Sequence, residues 1–184
     1  HTWAVDPARV IELTMRMDAN GVLHWDAPEG HWTILRFGCT TTGHLNISAS
    51  TAGMGLECDK LDPEAATYNF ENTVGRIIEE AGPETVKNLT FMAIDSYEAG
   101  MQNWTPGFAR VFRDATGYDI IPYLPAMTGR IVGDARRSER FLFDFRRVQA
   151  DRMIEAYYQR LMNLANEKGL KYYVEGYGQG VFDE

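Results

Sequence analysis

Two short apolar runs, 89–94 and 170–174, each follow a helix-length apolar stripe closed by glycine. The first stripe is Phe70, Val74, Ile77 and Ile78, ended by Gly82-Pro83; the second is Ala150, Ile154, Tyr157, Leu161, Leu164 and Ala165, ended by Gly169. Runs this short and apolar, bounded by turn residues, predict strands of a parallel sheet with both faces covered. Their alternation with helices predicts βαβ units. The candidates are an open doubly wound sheet and a (β/α)8 barrel. No G-x-G-x-x-G or Walker pattern follows a strand, which counts against nucleotide binding. A barrel takes ~250 residues and eight strands. With 184 residues and about four βα strands, the chain would hold roughly its first half. The expected fold class is therefore α/β, a partial (β/α)8 TIM-type barrel over 38–184, preceded by a small antiparallel β region over 1–37.

That lead-in is expected from period-two patterning. Ile11, Leu13, Met15 and Met17 alternate with polar residues, Asp18-Ala19-Asn20-Gly21 is a hairpin-type turn, and Val22–Trp25 is the return strand. A second turn over 26–30 leads to a strand carrying Trp32, Ile34 and Phe37. Residues 38–56, rich in Gly, Thr and Ser, have no period, and loops of that length are often functional. Asp62-Pro63 predicts a helix start, with Asp at the N-cap and Pro at the first helical position. Thr105-Pro106 repeats the signal before the stripe Phe108, Val111 and Phe112, which Gly117 closes. Tyr118–Leu124 is a strand candidate weakened by Pro122, and Ser138 is the expected cap of the long helix.

Composition excludes several classes. The chain is 45% hydrophobic and 24% charged, as in an ordinary globular domain. No apolar run approaches the ~20 residues of a membrane span. A net charge of −8 argues against a nucleic-acid partner. Cys39 and Cys58 are too few for a disulfide framework; they make one bridge or, as free cysteine usually does, two buried thiols. The chain starts at His1 without an apolar leader, which carries no information on location.

In parallel α/β folds the C-terminal strand ends face the active site. Acidic clusters fall at three such positions: Glu57-Cys58-Asp59-Lys60, Asp95-Ser96-Tyr97-Glu98, and Glu175. Asp62 is accounted for as a helix cap. Asp59 is either a site residue or a surface partner of Lys60. Glu98 is a poor cap beside Thr105-Pro106, which favours a chemical role. Glu175, between an apolar strand and Gly176, is either a site carboxylate or part of a solvated turn. Paired carboxylates suit glycosidic cleavage: one protonates the leaving oxygen, the other activates water or attacks the sugar. Tyr97, Trp104 and Tyr177 lie in or beside these segments and could stack on a pyranose, whereas Tyr173, inside a strand, is expected in the core. No His pair or His–Cys pair has zinc spacing. A hard cation on Glu57 or Asp95 is conceivable, although no D-x-D-x-D-G loop supports it. No G-x-S-x-G elbow is present.

Read in order, Trp32-Thr33-Ile34-Leu35-Arg36-Phe37-Gly38, Thr42-Gly43 and Gly55-Leu56-Glu57-Cys58-Asp59-Lys60 resemble the start of a catalytic domain of glycoside hydrolase family 106, the α-L-rhamnosidases. Asp95-Ser96-Tyr97-Glu98, Gln102-Asn103-Trp104-Thr105, Gly117-Tyr118-Asp119, Leu124-Pro125, Ser138-Glu139-Arg140-Phe141 and Glu175-Gly176-Tyr177-Gly178 continue the pattern. The resemblance implies a (β/α)8 catalytic domain, inverting hydrolysis of terminal α-L-rhamnose, a calcium ion near the sugar, and a secreted or periplasmic protein. It makes Glu98 the candidate general acid. Glu175 becomes a substrate or calcium contact or the base, with the base otherwise beyond residue 184. Glu57, Asp59, Lys60, Asp95, Tyr97, Trp104 and Tyr177 become candidate substrate contacts. The alternatives are a non-catalytic carbohydrate-binding module and a glycosidase of other sugar specificity.

Overall fold

The computed structural model describes residues 4–46, 49–96 and 99–176. The chain forms two compact units, one from 1–38 and 107–148, the other from 39–106 and 149–184.

The first unit is held by an aromatic core. Helix α3 (Phe108–Thr116) places Phe108 and Phe112 at its buried face. Helix α4 (Ala135–Met153) contributes Phe141, Phe145 and Val148 to this unit. The rings of Phe108 and Phe145 meet edge-on at 5.6 Å, as do Phe112 and Tyr118 at 5.1 Å. The Tyr118 hydroxyl donates to Asp144 Oδ2 at 3.1 Å. Near the N-terminus, Val5 donates its N–H to Ile131 O and accepts from Gly133 N, both at 2.7 Å.

Five expectations over this part of the chain are corrected. Residues 11–17 form no strand; a single 3₁₀ turn, Thr14–Arg16, replaces it, and Met15 is 94% exposed. The turn itself is as expected: Asp18 Oδ1 accepts from Asn20 N and Val22 N, and the hairpin closes with one bridge, Met17 to Leu23. Residues 31–37 have no regular structure, so the meander reduces to that bridge. Alternation alone does not make a strand where no partner supplies the ladder. Residues 118–124 are likewise not a strand. A 3₁₀ helix runs over Ile121–Thr128, because Pro122 and Pro125 remove ladder donors and Asp119 Oδ1 takes the Ile121 N–H at 3.1 Å. Thr105 does not cap α3; Gly107, with φ 80°, precedes Phe108, and Pro106 lies outside the helix. Asp134, not Ser138, caps α4, accepting from Arg137 N at 2.8 Å, while the buried Ser138 hydroxyl bonds Val132.

The second unit carries the sheet. Helix α1 (Pro63–Phe70) begins as predicted, with Asp62 accepting from Glu64 N at 2.9 Å. A π-helical turn (Glu71–Gly75) leads into α2 (Arg76–Val86), which is broken at Gly82 (φ 73°, ψ 167°) before Pro83. Strand β1 (Phe91–Ile94) pairs in parallel with β2 (Lys171–Val174), Phe91 opposite Lys171 and Ile94 opposite Val174. Between them, α4 passes through a second π turn (Ile154–Gln159) into α5 (Arg160–Glu167). That turn inserts a residue into the helical ladder and rotates the face. This is why Ile154, predicted on the buried stripe, is 54% exposed, whereas Met153 and Ala156 are buried. Gly169 (φ 76°) ends α5, and Leu170 N returns to Ala165 O at 2.9 Å.

One face of the two strands is covered. Met92 packs with Phe70, Leu161, Leu164, Ala165 and Leu170, and Tyr172 and Ile94 lean on the same cluster. Fully burying one such leucine contributes about 1.5–3 kcal/mol. The opposite face holds Phe91, Ala93, Lys171 and Tyr173, all exposed. Tyr173, expected in the core, is thus on the open face. Both cysteines are free thiols; Cys39 is exposed rather than buried, and Cys58 is half-buried.

Candidate active site

The two parallel strands end together. Glu175 N–H donates to Ile94 O at 3.0 Å, so the ladder continues one residue past Ile94 and Val174. Asp95 then falls beside Glu175, at the strand spacing of about 4.8 Å. By strand alternation both belong to the row of Phe91, Ala93, Lys171 and Tyr173, the face that the helices leave open. Asp95 is exposed and Glu175 half-buried. Asp95 Oδ1 also accepts from Ser96 N at 2.8 Å.

A second polar group is built around Asp59. Its Oδ1 accepts from Leu61 N at 2.9 Å and from Gln102 Nε2, and its Oδ2 accepts from Thr105 Oγ1 at 2.7 Å. Gln102 Oε1 accepts from Lys60 N at 3.1 Å, and Gln102 O accepts from Gln149 Nε2. Arg152 Nε donates to Leu61 O at 2.9 Å. Lys60 does not pair with Asp59 at the surface. It is buried, its Nζ donates to Glu57 Oε2 at 2.6 Å, and it stands 5.2 Å over the Tyr157 ring. Tyr157 touches both core clusters of the unit. Burial, with the nearby Cys58 and Glu57 adding to it, pushes its phenol well above the ordinary range. Burial also raises the Cys58 thiol, Lys60 opposing. In the same loop a Cβ at Gly100 would overlap the His44 imidazole, and φ is 69°, so the approach requires glycine.

The structure thus brings Glu57 and Lys60 together, joins Asp59 to the segment carrying Trp104, and sets Asp95 beside Glu175. Glu98, Tyr97 and Tyr177 lie outside the described residues. Gln149 and Arg152 escaped the sequence reading, and Gln102 and Thr105 entered it only as motif or cap residues, without these partners. Their partners are 42 to 91 residues away along the chain, and the one available signal, a Gln and a Thr flanking Trp104, fits a loop equally well. Among the described residues no three His, Cys, Asp or Glu side chains converge as a metal site. Calcium takes six to eight oxygens, so these residues do not by themselves fit the expected ion.

The α-L-rhamnosidase profile of glycoside hydrolase family 106 matches residues 1–183. The chain belongs to that family. In three dimensions the fold is similar to a rhamnosidase from Novosphingobium sp. PP1Y, with a TM-score of 0.81 and 35% identity over 95% of this chain and 17% of that one. In sequence, the family 106 chain is 38% identical over 179 residues to a Formosa agariphila protein named "Putative beta-glucuronidase", covering 97% of this chain and 15% of that protein. The chain therefore spans about one-sixth of the length of the relatives it matches.

Proposed function

We propose that the protein carrying this chain hydrolyses terminal α-L-rhamnosides with inversion. On this reading 1–37 lead into the first half of a (β/α)8 barrel over 38–184. The observation that carries it is the parallel register of β1 and β2, extended by the Glu175 N–H to Ile94 O bond, which puts Asp95 and Glu175 at the C-terminal strand ends in the row of the face free of helices. In a barrel that face and that end line the substrate site. Family membership supports the hydrolase class.

Glu98, three residues past Asp95, is the proposed general acid, delivering its proton to the leaving glycosidic oxygen. Inversion requires a second carboxylate ~6.5–9.5 Å away, with a water between. Glu175 is a substrate contact or that base; otherwise the base comes from a later strand, and the chain alone is inactive. Asp95, Tyr97, Trp104 and Tyr177 would bind the sugar. Calcium, expected from the resemblance, would need further oxygens. Secretion or periplasmic export is proposed on the same resemblance.

The test is hydrolysis of an aryl α-L-rhamnoside by the complete protein and its Glu98→Gln variant. Loss of a general acid lowers kcat by ~10²–10⁴; unchanged turnover removes Glu98 from the mechanism. The name of the Formosa agariphila relative favours one second reading, a uronic-acid glycoside as substrate. An aryl β-glucuronide assayed in parallel decides between them.

A further inference from the structure

We infer that Asp59 is a positioning residue: its carboxylate holds the 102–105 segment, and through it Trp104, in place for substrate. The inference rests on the glycosidase reading above.

A carboxylate offers about four acceptor sites. Three at Asp59 are taken by the protein's own donors: Leu61 N, Gln102 Nε2 and Thr105 Oγ1. A sugar-binding carboxylate needs its acceptors free for hydroxyls, and this one is nearly filled. Its donors flank Trp104 on both sides, so the indole-bearing backbone is pinned two residues before and one residue after. Gln102 is itself oriented. Its amide nitrogen faces Asp59 while its amide oxygen takes the Lys60 N–H, and exchanging the two would set donor against donor. Gln149, 7% exposed, closes the network by donating to Gln102 O, and Thr105 is 3% exposed. At that burial water competes poorly, and hydrogen bonds to a charged acceptor are about twice as strong as neutral ones.

The measurements are kinetics of the complete protein on an aryl α-L-rhamnoside and amide exchange of the 103–105 segment. Asp59→Ala is expected to raise KM at least ~10-fold, the scale of one lost charge-assisted hydrogen bond. Exchange at 103–105 should quicken. Asp59→Asn keeps an acceptor for Leu61 N, and its new amide can donate to the Thr105 hydroxyl, so it should recover most of the loss. The decisive comparison is Asp59→Ala combined with Trp104→Ala: if Asp59 acts through Trp104, the pair is no worse than Trp104→Ala alone. Additive losses, or a loss in Asp59→Ala where Trp104→Ala has none, overturn the inference. Should Asp59→Ala not fold, Thr105→Val removes only the hydroxyl and is put through the same comparison, with the same outcomes. A complete protein that cleaves no glycoside would defeat the function reading instead. The clamp is then judged by exchange alone, supported if 103–105 quickens in Asp59→Ala and overturned if it does not.

Discussion

Glu175 gives its backbone N–H to the carbonyl of Ile94 at 3.0 Å, and that bond carries the parallel register one residue on, to Asp95 opposite Glu175. Like charges directly opposite on neighbouring strands destabilise a sheet. A fold retains such a pair more readily when the carboxylates work on a ligand.

Glu175→Gln should therefore move stability and activity in opposite directions. In the complete protein, urea denaturation should show a gain of up to ~1 kcal/mol. At the same time kcat/KM on the aryl rhamnoside should fall at least ~10-fold, the loss of one charged contact. A variant that is less stable and fully active would show that the two carboxylates do not share a face.

Tyr172 sets an alkaline limit. Its hydroxyl is buried without a hydrogen-bond partner, and burial, with Tyr158 adding to it, pushes its pKa up to about 12. The unfolded phenol titrates near 10. The raised folded value makes this contribution complete below about pH 10, and it fades as pH climbs toward about 12. Tyr172→Phe should flatten that decline. It also removes an unsatisfied buried hydroxyl, so neutral-pH stability should hold or rise by ~1 kcal/mol. Denaturation midpoints at pH 8 and pH 11 check both signs; a large loss at pH 8 would reveal a partner for the hydroxyl.

The two thiols should differ in reactivity. Cys39 is exposed, whereas Cys58 is half-buried and its thiol is raised by burial. The thiolate is the reacting form. Iodoacetamide at pH 8, followed by peptide mass spectrometry, should label Cys39 first. Equal rates would mean that the Glu57–Lys60 segment opens readily.

The 184-residue chain by itself should self-associate. Phe91 and Tyr173 are 59% and 57% exposed on the open sheet face, and unpaired parallel edges template further pairing. Size-exclusion chromatography with light scattering should show oligomers or aggregates. A monodisperse monomer with a cooperative melt would contradict this.

Where local chemistry was sufficient, the elements were legible. Asp62-Pro63 starts α1, Gly82-Pro83 breaks α2, Gly117 ends α3 and Gly169 ends α5, because a cap, a fixed φ or a positive φ acts within one turn of chain. The short apolar runs became β1 and β2, paired in parallel. Residues 11–17 failed because alternation describes a face and not a partner, and 118–124 failed because two prolines outweighed the apolar content. The site was legible in part. Acidic residues after the strands pointed to Asp95 and Glu175; Asp59 had two open readings, and of these the surface pair with Lys60 is not formed, its carboxylate taking three other donors instead.

By itself, the order of residues determined where helices start and stop, which runs extend, and which family the motifs resemble. Those depend on contacts within a few residues. Only the tertiary structure decided that Asp95 and Glu175 are neighbours, that Lys60 is buried against Glu57 and Tyr157, and that Asp59 is bound to Gln102 and Thr105. Those joins link positions 3 to 97 apart, and the longer ones depend on strand register and helix packing, which no local pattern encodes.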